Sequence, residues 1–136
     1  MINLICGNKG SGKTKQLIEK VNAAAGVASG NVVFISDNTK KNMYDIKSKV
    51  RMIDTSDFEI KTLETLYGFI SGIISGNYDI TDIFVDGVLR MVDYKTEGLE
   101  SFAGKLDKVA SEHGNNIFMT LSIDPAELSE DVKKFI

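Results

Sequence analysis

The sequence predicts a three-layer α/β/α protein built on a mainly parallel sheet of about five strands. Two observations carry that prediction. Short apolar runs rich in β-branched and aromatic residues recur along the chain, and amphipathic helical stretches separate them. A third is size: 136 residues, 43% hydrophobic and 26% charged, match one ordinary globular domain, so residues 1–136 read as a single unit. Roughly two-thirds of the unfolded chain's surface can be buried at this length, so the core needs no disulfide or structural metal.

The elements follow in order. Ile2 to Cys6 is an apolar run ending in glycines, the first strand. A helix with Leu17, Val21, Ala24 and Ala28 on one face comes next. Asn31 to Ile35 is the second strand, Thr39 to Ile46 is expected to hold a brief helical turn, and Val50 to Ile53 is a weaker strand. Leu63, Leu66, Tyr67, Ile70, Ile73 and Ile74 line the second helix, with Ser56 and Glu59 spaced as a capping box before it. Gly68, Gly72 and Gly76 form a narrow strip on that helix and predict close packing on the sheet. Asp82 to Val85 is another strand. Leu99, Phe102, Ala103, Leu106, Val109 and Ala110 make a third helical stripe, which His113 would continue, and Asn116 to Leu121 is the last strand. Asp124 as N-cap, Pro125 at the first position and Glu127 at the third open a final helix carrying Leu128, Val132 and Phe135.

Charge and cysteine usage narrow the function. Sixteen basic against nineteen acidic residues give a net charge of −3, which excludes a polycation that grips duplex nucleic acid by bulk charge. One cysteine (Cys6) and one histidine (His113) cannot build a Cys/His zinc site. The first residues carry no basic segment, their apolar stretch stops at Gly7, and no run of about 18 apolar residues occurs. The expectation is a cytoplasmic protein of a reducing compartment with no membrane association. Lys40, Lys41, Lys47, Lys49 and Arg51 gather around Tyr44, but such a stretch reads first as a solvated face and edge strand, so nucleic acid is only weakly indicated.

The segment with chemical content stands directly after the first strand. Gly7-Asn8-Lys9-Gly10-Ser11-Gly12-Lys13-Thr14 fits G-x-x-x-x-G-K-S/T, the phosphate-binding (Walker A) loop. Glycines let the backbone turn its N–H groups inward as a nest for phosphate oxygens, and the following helix N-terminus adds partial positive charge. In that pattern Lys13 reaches the β- and γ-phosphates and the Thr14 hydroxyl ligates Mg²⁺. Ile83-Phe84-Val85-Asp86 adds an aspartate at the end of a buried strand, the Walker B type of carboxylate that holds Mg²⁺ through water.

On these residues (Gly7, Gly12, Lys13, Thr14 and Asp86) the chain resembles a P-loop NTPase, reduced to a minimal core, and within that superfamily the RecA-like ATPases. The resemblance implies ATP and Mg²⁺ as ligands, with Lys13 and Asp86 as the catalytic pair. It also implies that the last strand inserts between the first strand and the Asp86 strand, with Thr120 or Ser122 as a polar sensor. One departure stands out. That branch usually places a glutamate after the acidic residue, where this chain has Gly87, and the next glutamates are Glu97 and Glu100. Hydrolysis is therefore expected to be slow or dependent on a partner, with Asp37 or Asp54 as substitute carboxylates or as plain strand-end caps. A small-molecule or nucleoside kinase, or an assembly protein that binds nucleotide without turnover, are the alternatives. Val88, Leu89, Met91 and Val92 suggest either a partner or homo-oligomer surface through residues 87–97, offering Arg90 to a neighbour, or a cover for the sheet's own edge.

Overall fold

The computed structural model describes residues 1–136. Strands β1 (Ile2–Gly7), β2 (Asn31–Ser36), β3 (Arg51–Asp54), β4 (Ile80–Asp86) and β5 (Asn116–Ser122) form one sheet in the order β1-β5-β4-β2-β3. Every pairing is parallel. β5 thus lies between β1 and β4, where the sequence reading expects it. Helices α1 (Lys13–Val27), α2 (Leu63–Gly76), α3 (Val88–Met91), α4 (Leu99–His113) and α5 (Glu130–Lys133) complete the fold.

Alternation along the strands divides the core between two faces. Val32 and Phe34 of β2 and Phe84 of β4 pack with Leu17, Val21 and Ala25 of α1 in a cluster of 8 buried residues. Their neighbours Val33, Ile35, Ile83 and Val85 point the other way, into a cluster of 25 that α2, α3, α4 and α5 cover. One helix therefore shields one face and four share the other. Asn22 of α1 completes the thin layer by pinning the 42–50 loop: its amide donates to Asp45 O (2.8 Å) and accepts from Lys47 N–H (2.9 Å).

Several local expectations are corrected. On α1 the third buried position is Ala25, with Ala24 and Ala28 only half-buried. The cap of α2 is not Ser56 and Glu59. Those residues belong to a 3₁₀ turn, Thr55–Phe58, which Glu59 ends in a left-handed conformation (φ 54°). The helix starts afresh at Thr62, whose hydroxyl accepts from Thr65 N–H (3.1 Å) while the Thr65 hydroxyl accepts from Thr62 N–H (3.1 Å). Gly68, Gly72 and Gly76 face open space, where an added Cβ would meet nothing, so they do not serve helix–sheet contact. The stripe of α4 ends at Ala110: His113 is exposed, its ring turned back to Val109 O (2.9 Å). The brief helical turn after β2 covers only Thr39–Lys41. Asp124 and Pro125 start a 3₁₀ turn of three residues, after which Leu128 is extended and α5 begins separately. Leu128 and Val132 still reach the core.

The outer edge of β1 is closed by the chain itself. Ile2 N–H donates to Asp107 of α4 (3.0 Å), and Leu4 N–H donates to Phe135 O (2.7 Å). An edge capped this way does not invite strand addition. No helix is long and apolar enough to cross a membrane.

Candidate functional site

All five strands end at the same rim of the sheet, and the chain leaves that rim toward opposite faces: from β1 to α1, and from β4 to α3 and α4. In open α/β sheets the crevice between such departures is where ligands bind. The loop after β1 has the conformation its glycines permit. Gly10 and Gly12 sit at φ 84° and 86°, and Gly12 turns the chain directly into α1, which no side chain caps. Ser11 N–H donates to Asn8 O (3.1 Å), whereas the N–H groups of Asn8, Lys9, Gly10, Gly12, Lys13 and Thr14 have no acceptor in the protein.

Lys13 opens α1 and is only 8% exposed. Its Nζ donates to Asn8 O (3.0 Å) and lies 3.5 Å from Ser11 Oγ. The chain's ion pairs are Arg90 with Asp37 and Asp86, and Lys133 with Glu130, so no carboxylate meets Lys13. A partly buried ammonium without an anion leaves its charge uncompensated, and this one belongs to the same loop as the unengaged amide donors. Cys6, just before the loop, is half-buried. Burial pushes its thiol up to about 11 despite the opposing charge of Lys13, so it is neutral and a poor nucleophile at neutral pH.

Asp86 ends β4 and is 3% exposed. Thr14 Oγ1 stands 3.1 Å from each of its carboxylate oxygens, and Thr120 Oγ1 donates to Oδ1 (2.8 Å) while accepting Gly87 N–H (2.7 Å). Thr120 thereby ties the end of β4 to β5, and Ser122, two residues on, lines the cleft. Thr14 and Asp86 are the two oxygen-bearing side chains that could share a cation. No cluster of three His, Cys, Asp or Glu residues exists anywhere, so such a cation would take most ligands from phosphate and water. That donor set fits Mg²⁺, which keeps several waters and uses one or two carboxylates.

Beyond the loop the crevice widens to about 450 Å³, lined by Lys9, Ser36, Asp37, Asp86, Arg90 and Ser122 among others. Arg90 holds Asp37 in a two-pronged pair, with Nε at 2.9 and 2.8 Å and Nη2 at 2.7 Å, and its Nη2 is also 4.0 Å from Asp86 Oδ2. The hydrogen bonds it donates to Asp37, against the opposing effect of burial, hold the guanidinium still more firmly charged than usual. Gly87 is left-handed (φ 80°), and a Cβ there would collide with the Arg90 guanidinium.

The other carboxylates considered as bases are elsewhere or engaged. Asp54 Oδ1 accepts from Ser56 and Oδ2 from Thr39, so it is a cap. Asp124 likewise caps its 3₁₀ turn through Ala126 N–H (2.9 Å). Glu97 lines a different cavity of about 590 Å³ between the starts of α2 and α4. Glu100 lines a separate surface cavity with Asp131, whose nearness raises its carboxyl. Val88, Leu89, Met91 and Val92 are all buried (0–6% exposed) in the chain's own core, as the second of their two sequence readings, a cover within the fold, has it. Arg90 and Tyr94 are what that segment shows to the cleft. The sequence reading missed the Arg90–Asp37 pair, because 53 residues separate the two and only the β2–β4 pairing brings them together.

Neither protein-family models nor curated proteins give a match to this chain.

Proposed function

We propose that this protein binds Mg²⁺-ATP, with phosphates in the loop Gly7–Thr14 and the cation at Thr14 and Asp86, and acts as a slow or partner-stimulated ATPase or ATP-dependent switch of the P-loop NTPase kind. The observation that supports this best is the buried Lys13 ammonium, without a carboxylate, beside loop amides without acceptors. A polyphosphate supplies the missing anion and the missing acceptors together. The choice of adenine rests on the resemblance alone.

In this reading the loop amides and Lys13 bind and neutralise phosphate oxygens, and the Thr14 hydroxyl and the Asp86 carboxylate would hold the metal. Mg²⁺, when bound, would neutralise charge developing between the β- and γ-phosphates. Thr120 keeps the Asp86 carboxylate oriented through its own hydrogen bond. In this structure neither Asp37 nor Asp54 is free to orient an attacking water, because both are engaged. Slow turnover follows, and a kinase has no evident base for an acceptor hydroxyl.

The test is titration of Mg²⁺-ATP into the purified protein, with phosphate release followed in parallel and Lys13→Ala as control. Binding that the Lys13 variant loses is the expected result. Failure of both ATP and GTP to bind the wild-type protein would overturn the reading.

A further inference from the structure

We infer that the face built by α1 and the 37–50 loop docks on an anionic phospholipid surface, with Met43 and Tyr44 entering the headgroup layer. The inference stands apart from the nucleotide reading. It departs from the expectation drawn from the sequence, in which these lysines form a solvated face.

Charge is divided between the two sides of the sheet. Residues 1–51 hold nine basic and three acidic residues, net +6, whereas residues 52–136 hold seven basic and sixteen acidic, net −9. The first stretch supplies α1 and the loop packed with it, and the second supplies α2, α3, α4 and α5 on the opposite face. Lys15 and Lys20 of α1 and Lys40, Lys41, Lys47 and Lys49 of the loop are exposed, and none forms an ion pair. In ordinary salt charges reach about 10 Å, less than the depth of three packed layers, so the acidic face does not cancel the basic one at a surface.

The loop is built to display apolar residues among those lysines. Asn42, Ile46 and Val50 are buried, while Met43 to Asp45 and Lys47 to Lys49 between them are exposed. Asn22 pins the loop at Asp45 and Lys47, and Lys47 Nζ lies 3.6 Å from the place a Cβ on Gly26 would take, so the loop is fixed across α1. On it Tyr44 is 91% and Met43 47% exposed, and no cation covers the Tyr44 ring. Apolar insertion and basic charge together are what peripheral membrane binding requires. Deterring edge pairing does not explain these lysines, because β3 begins only at Arg51.

Shape and donor type favour lipid over nucleic acid. The larger cavities are lined by none of Met43, Tyr44, Lys47 and Lys49, so this part of the face is no groove that tracks a strand. Its cations apart from Arg51 are lysines, point charges suited to a diffuse anionic surface rather than forks that grip single phosphates and bases.

Co-sedimentation of the purified protein with vesicles tests this, using phosphatidylcholine alone and phosphatidylcholine with about one part in three phosphatidylserine. Binding to the mixed vesicles only, weakened by salt, is expected. Lys47→Glu with Lys49→Glu should weaken it about tenfold or more. Lys95→Glu with Lys108→Glu, the same change of net charge outside the α1 face, should weaken it less than about threefold. The chain has no tryptophan, so Tyr44→Trp adds a single emitter, whose fluorescence should shift to the blue on mixed vesicles. Equal binding to both vesicles, binding to neither, equal loss in the two double variants, or an unshifted emission would each overturn the inference. So would binding of a labelled single-stranded oligonucleotide, lost in the Lys47→Glu, Lys49→Glu variant, without vesicle binding.

Discussion

The chain leaves β1 and β3 at the same rim of the sheet in opposite states. After β3 the turn is closed on itself: Asp54 accepts from two backbone N–H groups and two hydroxyls. After β1 the turn is open, with six N–H groups from Asn8 to Thr14 lacking acceptors and the part-buried Lys13 ammonium lacking an anion. Both segments follow a short parallel strand and both lead into helical turns. The difference teaches how a strand end that closes on itself is told from one whose polar groups stay open. The β3 end satisfies its own polar groups, whereas the exposed loop after β1 leaves its N–H groups open to water or to a ligand.

The largest effect should come from Lys13→Ala. It should lower Mg²⁺-ATP affinity about a hundredfold or more, by loss of charge-assisted bonds, while thermal stability holds or rises because a buried unpaired charge is gone. Calorimetry and thermal unfolding on the same preparation read both. Asp54→Ala should do the reverse, costing about 1–2 kcal/mol of stability as a lost cap and leaving ATP affinity unchanged. Loss of ATP binding in Asp54→Ala would break the comparison and bring the β3 end into the site. Gly87→Ala falls between them. A left-handed Ala costs about 1–2 kcal/mol, and its methyl group displaces the Arg90 guanidinium from its place beside Asp37, so chemical denaturation should show the loss.

The open turn was legible in the sequence and the crevice beyond it only in part. Gly7 to Thr14 is contiguous, and its glycines have a direct conformational reason, so the loop could be read residue by residue. The strands could be read because runs such as Val32 to Ile35 are buried on both faces. Alanine and glycine misled, since neither marks a buried face: Ala25 replaced Ala24 inward on α1, and the glycines of α2 face outward. The α2 cap was missed because Thr65 holds the place where a capping box usually has Glu or Gln. Val88 to Met91 is one helical turn, too short to show a period, so its burial needed the tertiary structure. The Arg90–Asp37 pair needed the strand order as well.

The smallest expected effect sharpens the closed side of the comparison. Burial alone would raise the Asp54 carboxyl, but hydrogen bonds from Ser56 and Thr39 outweigh it and hold the group below its usual 3.8. A carboxyl depressed in the folded state adds stability that is fully present above its unfolded value. That stability is lost as pH falls through the folded value. Thermal unfolding of wild type and Asp54→Asn, from about pH 7 down to about pH 3, should therefore show a constant gap at the upper end that narrows below about pH 4. The group is largely solvated, so the change is small. A gap of the same width at every pH would mean that Ser56 and Thr39 hold the neutral acid as well as the carboxylate. The turn after β3 would then be closed by its shape rather than by its charge.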